Sequence, residues 1–151
     1  MTRRIPAYHP TMPDRATVPA FPPLRVLLIE DSAMIREMLL EYLQAMPYVE
    51  RVDWADTEHL GISMFAAGGY QVAIIDLQLR QGNGVNVLRA MQRARAPGIR
   101  IVYTNHAQVP AYRRQCADAG ADYFFDKSLE MEEVFRVIEE YAGSRAAGDP
   151  S

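Results

Sequence analysis

AIIDLQL, residues 73–79, places a carboxylate where an apolar run should simply end. Val72-Ala73-Ile74-Ile75 is unbroken and apolar, Asp76 closes it, and Leu77 and Leu79 resume the pattern. A short apolar run of this kind reads as a strand buried on both faces. An unpaired carboxylate at the end of such a strand is costly. The stretch therefore poses two linked questions: which fold buries the strand, and what Asp76 is for.

Working outward, the same pattern recurs. Strands are predicted over Arg25–Ile29, Arg51–Ala55, Gln71–Ile75, Ile99–Tyr103 and Asp122–Phe125. Between them lie segments with helical spacing. Ile35, Met38, Leu39, Tyr42, Leu43 and Met46 share one face of a helix over 33–46 that Ser32 can cap. Thr57 can cap a helix through Ala67, which Gly68-Gly69 closes. Asn83–Arg95 turns Val87, Leu88 and Met91 inward and stops at Pro97-Gly98. Pro110 suits the first turn of a helix running to Ala119. Ser128 is expected to cap the last helix, whose inner face is Met131, Val134, Phe135, Ile138 and Tyr141. Glu130, Glu132 and Glu133 suit its positive end. Five strand–helix units with apolar strands imply an α/β fold, a parallel sheet covered on both faces.

The flanks differ. Residues 1–23 hold Pro6, Pro10, Pro13, Pro19, Pro22 and Pro23 without periodicity, and read as an extended or disordered arm. The folded unit is expected over 24–143, and SRAAGDPS, 144–151, reads as a flexible tail.

Bulk numbers exclude some classes. The net charge of -3 argues against nucleic-acid binding through a basic surface. No apolar run approaches the roughly 18 residues of a membrane span. Arg3-Arg4 is followed by prolines rather than the apolar region of an export signal. Cys116 is the only cysteine, so no intrachain disulfide forms, and a cytoplasmic location is expected. Of 16 basic residues, Lys127 is the only lysine. A chain that uses arginine everywhere else has a compact ammonium at one place.

In a doubly wound sheet, ligands sit beyond the carboxyl ends of the strands. There the sequence has Glu30-Asp31, Asp76, Thr104 and Asp126-Lys127. Taken singly, each has an ordinary account: Asp31 as a helix cap, Thr104 as a strand residue, Lys127 as a solvated charge. Their coincidence at one edge points to a site. Clustered carboxylates repel unless a cation joins them. A hard divalent ion such as Mg²⁺ takes one or two carboxylates plus a phosphoryl group. Asp76 is then a candidate nucleophile toward phosphorus, with Lys127 and Thr104 serving the transferred group's oxygens.

These residues resemble the receiver domain of two-component response regulators. The marks are VLLIEDS at the first strand, IIDL at the third, Gly84 eight residues after Asp76, IVYT at the fourth, and AGADYFFDKS before the last helix. The resemblance covers about Leu24 to Gly143. It implies a doubly wound (βα)₅, flavodoxin-like fold with strand order 2-1-3-4-5. It implies Asp76 as phosphoacceptor, with Mg²⁺ (or Mn²⁺) on Glu30, Asp31, Asp76 and the backbone carbonyl of Gln78. Thr104 and Phe124 would be the switch residues and Lys127 the phosphate partner. The donor would be a sensor histidine kinase or a histidine phosphotransfer protein. The family is not enzymatic beyond its own phosphotransfer and dephosphorylation. A single-domain receiver is expected, with no output domain and with a downstream protein partner.

The chain departs from the family pattern in places. Arg80 stands where a proline often follows the phosphoacceptor loop. Ser128 follows Lys127, where the family has a proline in a cis bond; a cis bond before serine costs about 3–4 kcal/mol, which leaves that isomer open. Asn105 replaces a small residue beside the phosphoryl pocket, and with His106 and Gln78 is expected to modulate phosphate lifetime. Met34 and Arg113-Arg114 are candidate partner contacts or ordinary exposed positions. A phosphatase of the haloacid dehalogenase type would need an acid where Gln78 stands. A flavin carrier would need a phosphate loop where Glu30-Asp31 stands. The remaining alternative is a degenerate receiver that only binds protein.

Overall fold

The structure, a computed structural model, describes residues 22–146. The chain alternates strictly: β1 (Leu24–Ile29), α1 (Ala33–Gln44), β2 (Val49–Ala55), α2 (Glu58–Ala67), β3 (Val72–Ile75), α3 (Gly84–Ala94), β4 (Ile99–Thr104), α4 (Pro110–Asp118), β5 (Tyr123–Asp126) and α5 (Met131–Ala146). The strands form one parallel sheet in the order β2-β1-β3-β4-β5. This is the expected α/β architecture and order.

Alternation along each strand divides the core. Val26 and Leu28 of β1 point to the face covered by α1 and α5, against Leu39, Leu43, Phe135 and Ile138. Leu27 and Ile29 point to the other face, against Phe65, Val87, Leu88, Met91 and Cys116 from α2, α3 and α4. Each fully buried aliphatic side chain contributes about 2 kcal/mol. Local signals set the helix starts: Ser32, Thr57 and Asn83 accept from the amides of Ile35, Leu60 and Asn86.

Register brings the strand ends together. Ile29 pairs with Ile75, so Glu30 and Asp76 emerge side by side, and the Asp76 amide donates to the Ile29 carbonyl at 2.9 Å. Thr104 pairs with Asp126, which places Lys127 beside them.

Two expectations are corrected. Ser128 does not cap the last helix, which begins only at Met131. Its amide and hydroxyl both donate to Asp126 Oδ1, at 2.7 and 2.6 Å, so the side chain is spent on the turn behind it. The tail expected from Ser144 is helical through Ala146. The rest of that tail, and the proline-rich arm up to residue 21, lie outside the described residues. The Lys127–Ser128 peptide is trans, since no described bond is cis.

Candidate functional site

The site is built where β1, β3 and β5 end. Glu30 and Asp76 are buried, and Asp31 is exposed. One carboxylate oxygen from each lies within 4.8 Å of the others. Lys127 Nζ enters this cluster, 2.9 Å from Glu30 Oε1 and 2.9 Å from Asp76 Oδ2, with its side chain 7% exposed. Among the described residues, no hydrogen bond reaches Asp76 Oδ1 or the Asp31 carboxylate. Three acids therefore face one ammonium, and the cluster keeps an excess of negative charge.

The electrostatics follow from burial. Desolvation pushes Glu30 above its usual range, aided by Asp76 and opposed by Lys127 and the Ser32 amide. Desolvation alone would lower Lys127, but its hydrogen bonds to Glu30 and Asp76 outweigh burial and hold it above its ordinary value. Lys127 is thus an ammonium at neutral pH.

The cluster opens into a cleft of about 230 Å³ lined by Asp31, Ser32, Asp76, Gln78, Asn105, His106 and Lys127. Asn105 and Gln78 are exposed and His106 is half-buried, stacked edge-on against Tyr112. Thr104 is fully buried and does not line the cleft. Its Oγ1 accepts the His106 amide at 3.2 Å. Phe124 is half-buried and lies under Arg113, whose guanidinium carbon is 4.5 Å from the ring centre. Arg113 thus covers Phe124, which gives it a local role beside the readings open to it from sequence. Met34 is 68% exposed. Asp126 points away: it accepts from Ser128 and, at 3.3 Å, from Gln108, and the Ser128 bonds hold it below the usual range.

Several supporting residues escaped the sequence reading. Arg36 Nη1 reaches back from α1 to the Glu30 carbonyl at 3.1 Å, and its guanidinium lies 3.7 Å from the Trp54 ring centre. Tyr103 donates to the Lys127 carbonyl at 3.3 Å. Ser32 was read as a cap and also donates its amide to Glu30 at 3.0 Å. Adjacency to the acid pair was the only signal for Ser32; Arg36 and Tyr103 had none.

Comparison with known proteins decides the family. The family model for the response regulator receiver domain matches residues 26–139. The chain belongs to the response regulator receiver family. It is 25% identical over 127 residues to the DNA-binding transcriptional activator DevR/DosR of Mycobacterium tuberculosis, covering 83% of this chain and 58% of the relative. It is 29% identical over 115 residues to the transcriptional regulatory protein RprY of Bacteroides fragilis, covering 76% and 48%. The chain thus spans less than two thirds of the length of these curated relatives. The response regulator domain of Thermotoga maritima CheB superposes with a TM-score of 0.69 at 22% identity, over 85% of this chain and 99% of that one. The phosphorylated cyanobacterial phytochrome response regulator RcpA does so with a TM-score of 0.68 at 15% identity, over 85% and 99%. At these identities the two structures speak to the fold.

Receiver domains act in two-component signalling, where they partner with histidine kinases. The acidic pocket of Glu30, Asp31 and Asp76 is the kind a receiver uses for Mg²⁺, and its all-oxygen donor set suits that ion. No helix among the described residues is long and apolar enough to cross a membrane.

Proposed function

We propose that Asp76 accepts a phosphoryl group from a phosphohistidine on a histidine kinase or phosphotransfer protein, and that this changes which partner the domain binds. The observation that carries the reading is the Lys127 ammonium, 2.9 Å from both Glu30 and Asp76, at the wall of an open cleft that still has acid to spare. Glu30, Asp31, Asp76 and the Gln78 carbonyl would hold Mg²⁺. When bound, the ion supplies charge neutralisation for the phosphoryl oxygens.

The chain's own residues do the rest. Asp76 Oδ2 is held by Lys127, which leaves Oδ1 as the attacking oxygen. The new bond is Oδ1–P; the N–P bond of the phosphohistidine breaks and its electron pair stays on the imidazole. Lys127 then balances the added charge. Thr104 can serve the phosphoryl group only by turning its hydroxyl from the His106 amide, and Phe124 can move inward only by leaving Arg113. Both moves give up one local contact each, and the switch is a shift between two packings. Gln78, Asn105 and His106 line the cleft where water would attack the acyl phosphate, and set its lifetime.

Acetyl phosphate with Mg²⁺ should add one phosphate to the intact mass of the wild type and none to Asp76→Asn. A phosphate retained on the Asn variant sinks the assignment. Asp31→Ala should weaken Mg²⁺ binding sharply; unchanged affinity would move the ion elsewhere. Loss of phosphorylation in an otherwise sound wild type would leave the domain a protein-binding module.

A further inference from the structure

Arg80 occupies a position where proline would stiffen the loop that carries Asp76, and the function proposed above gives it no task. Its surroundings do. Arg80 Nε and Nη2 donate to the Asp56 carboxylate at 3.2 and 3.4 Å. The next two residues, Thr57 and the first residue of α2, Glu58, also grip this loop. Thr57 bridges Gln81, and the Glu58 amide donates to the Gln81 carbonyl at 2.9 Å. Glu58 Oε1 accepts the Asn83 amide at 3.1 Å and the Asn86 side-chain amide at 3.2 Å. Gly82 has a φ of +87°, and any side chain there would collide with Glu58. The loop is also closed on itself, by a bridge between Gln78 and Asn83 and by the Gly84 amide on the Leu77 carbonyl at 2.9 Å.

We infer that Asp56 and Glu58 act as positioning residues for the phosphoryl site: they form a polar latch that fixes the loop from Asp76 to Asn83 and supply the restraint a proline would give. The inference rests on the reading of Asp76 and Gln78 as phosphoacceptor and carbonyl ligand. Those two atoms sit at the start of the latched loop, so its rigidity is pre-organisation of the site. The two halves of the latch are unequal. The Arg80–Asp56 pair is solvated, with Arg80 59% exposed, and surface pairs are weak. Glu58 accepts two hydrogen bonds at the α3 start and carries most of the restraint.

Arg80 also offers a direct test by rescue. Its amide donates no hydrogen bond to protein among the described residues, and its φ is not positive. A proline there removes no backbone hydrogen bond; it gives up the weak Arg80–Asp56 pair and fixes φ in its place. Mg²⁺ and beryllofluoride affinities should be measured by titration calorimetry on the full chain, with amide exchange of Gly84 read by NMR. Asp56→Ala should weaken binding about threefold and Glu58→Ala about tenfold. Arg80→Pro in the Glu58→Ala background should restore binding to about twofold of wild type, and Glu58→Gln, which keeps an acceptor oxygen, should fall between. A lower Tm in Glu58→Ala with unchanged Mg²⁺ affinity overturns the latch, as does failure of the proline to restore binding. If the wild type binds no beryllofluoride, the phosphoryl reading fails by itself. The latch is then judged on Gly84 exchange: faster exchange in Glu58→Ala, slowed again by Arg80→Pro, supports it, and unchanged exchange overturns it.

Discussion

Buried charge is handled differently at the two ends of this sheet. At the carboxyl end, Lys127 meets Glu30 and Asp76 at 2.9 Å while Asp31 stays open to the cleft. At the amino end, Arg100 is also buried, but its guanidinium donates to the Ala96 carbonyl at 2.9 Å and lies 5.1 Å from the Phe65 ring centre. Ala96 follows the C-terminal end of α3, whose carbonyls favour a cation. Arg100 closes off a helix end, and the only carboxylate that pulls on its charge is Asp122. The carboxyl end holds more acid than base in a place open to solvent. That excess of acid beside an open cleft is what sets the carboxyl end apart.

Removing the cation at the carboxyl end should have the largest effect. Lys127→Met strands two buried carboxylates, and breaking a buried pair costs about 3–5 kcal/mol. With the ammonium gone, burial raises Glu30 further above 4.5. An acid raised in the folded state holds its proton more tightly when folded, so stability is kept below pH 4.5 and falls as pH climbs past it. Thermal melts without Mg²⁺ should therefore show the variant losing Tm from pH 5 to 8 more steeply than wild type. Parallel curves would mean that the two acids do not depend on Lys127.

Glycines sharpen the contrast. A Cβ on Gly84 would collide with the Asp76 carbonyl and lie 2.8 Å from Ile75 Cγ2. A Cβ on Gly98, at φ +117° and at the other end of the sheet, would collide with the Gln71 carbonyl. Each Gly→Ala change should cost about 1–3 kcal/mol in urea unfolding, from overpacking in one case and backbone strain added in the other. Only Gly84→Ala displaces Asp76, so only it should weaken beryllofluoride binding. Equal loss in Gly98→Ala would show that binding follows global stability.

How much of this contrast was legible beforehand depends on how far apart the partners are in sequence. Apolar runs and caps are local, so the strands and the starts of α1, α2 and α3 could be read from Val72–Ile75, Ser32, Thr57 and Asn83. Strand-end chemistry needed one topological rule to bring Glu30, Asp76 and Lys127 to one edge. The Arg80–Asp56 pair and the Glu58 contacts join loops 24 to 28 residues apart, and no local pattern announces them. Ser128 misled because a serine before an acidic segment is a good cap in general. Here Asp126, two residues back, takes its hydroxyl instead.

Two tyrosines repeat the comparison at alkaline pH. Burial, with Glu30 nearby, pushes Tyr103 up to about 12 at the carboxyl side. Burial and a 2.6 Å hydrogen bond to Asp53 push Tyr70 up to about 12 at the amino side. A phenol raised in the folded state stabilises fully below its ordinary value of about 10, and that stability is lost as pH rises from there to about 12. Tyr103 is 1% exposed, so its share is the larger, about 2 kcal/mol. Tyr103→Phe should flatten the alkaline fall in unfolding free energy more than Tyr70→Phe does. The reverse order would place the tighter burial at the amino end.

The smallest effect should come from Arg100→Met, and it is the one that can break the comparison. Burial already holds this guanidinium below its usual value, against the pull of Asp122. Methionine keeps the stem's apolar packing near Leu88 and Met91 and removes a charge whose desolvation was a cost. What is lost is one hydrogen bond to Ala96 and the contact with the Phe65 ring. Ala96 lines an open hollow of about 240 Å³, from which water can replace the donor. The two terms nearly cancel, and urea unfolding should shift by about 1 kcal/mol or less. A loss as large as that of Lys127→Met would mean that Arg100 answers an uncompensated negative charge. The amino end would then be a second unbalanced site, and burial with excess charge would no longer single out Asp76.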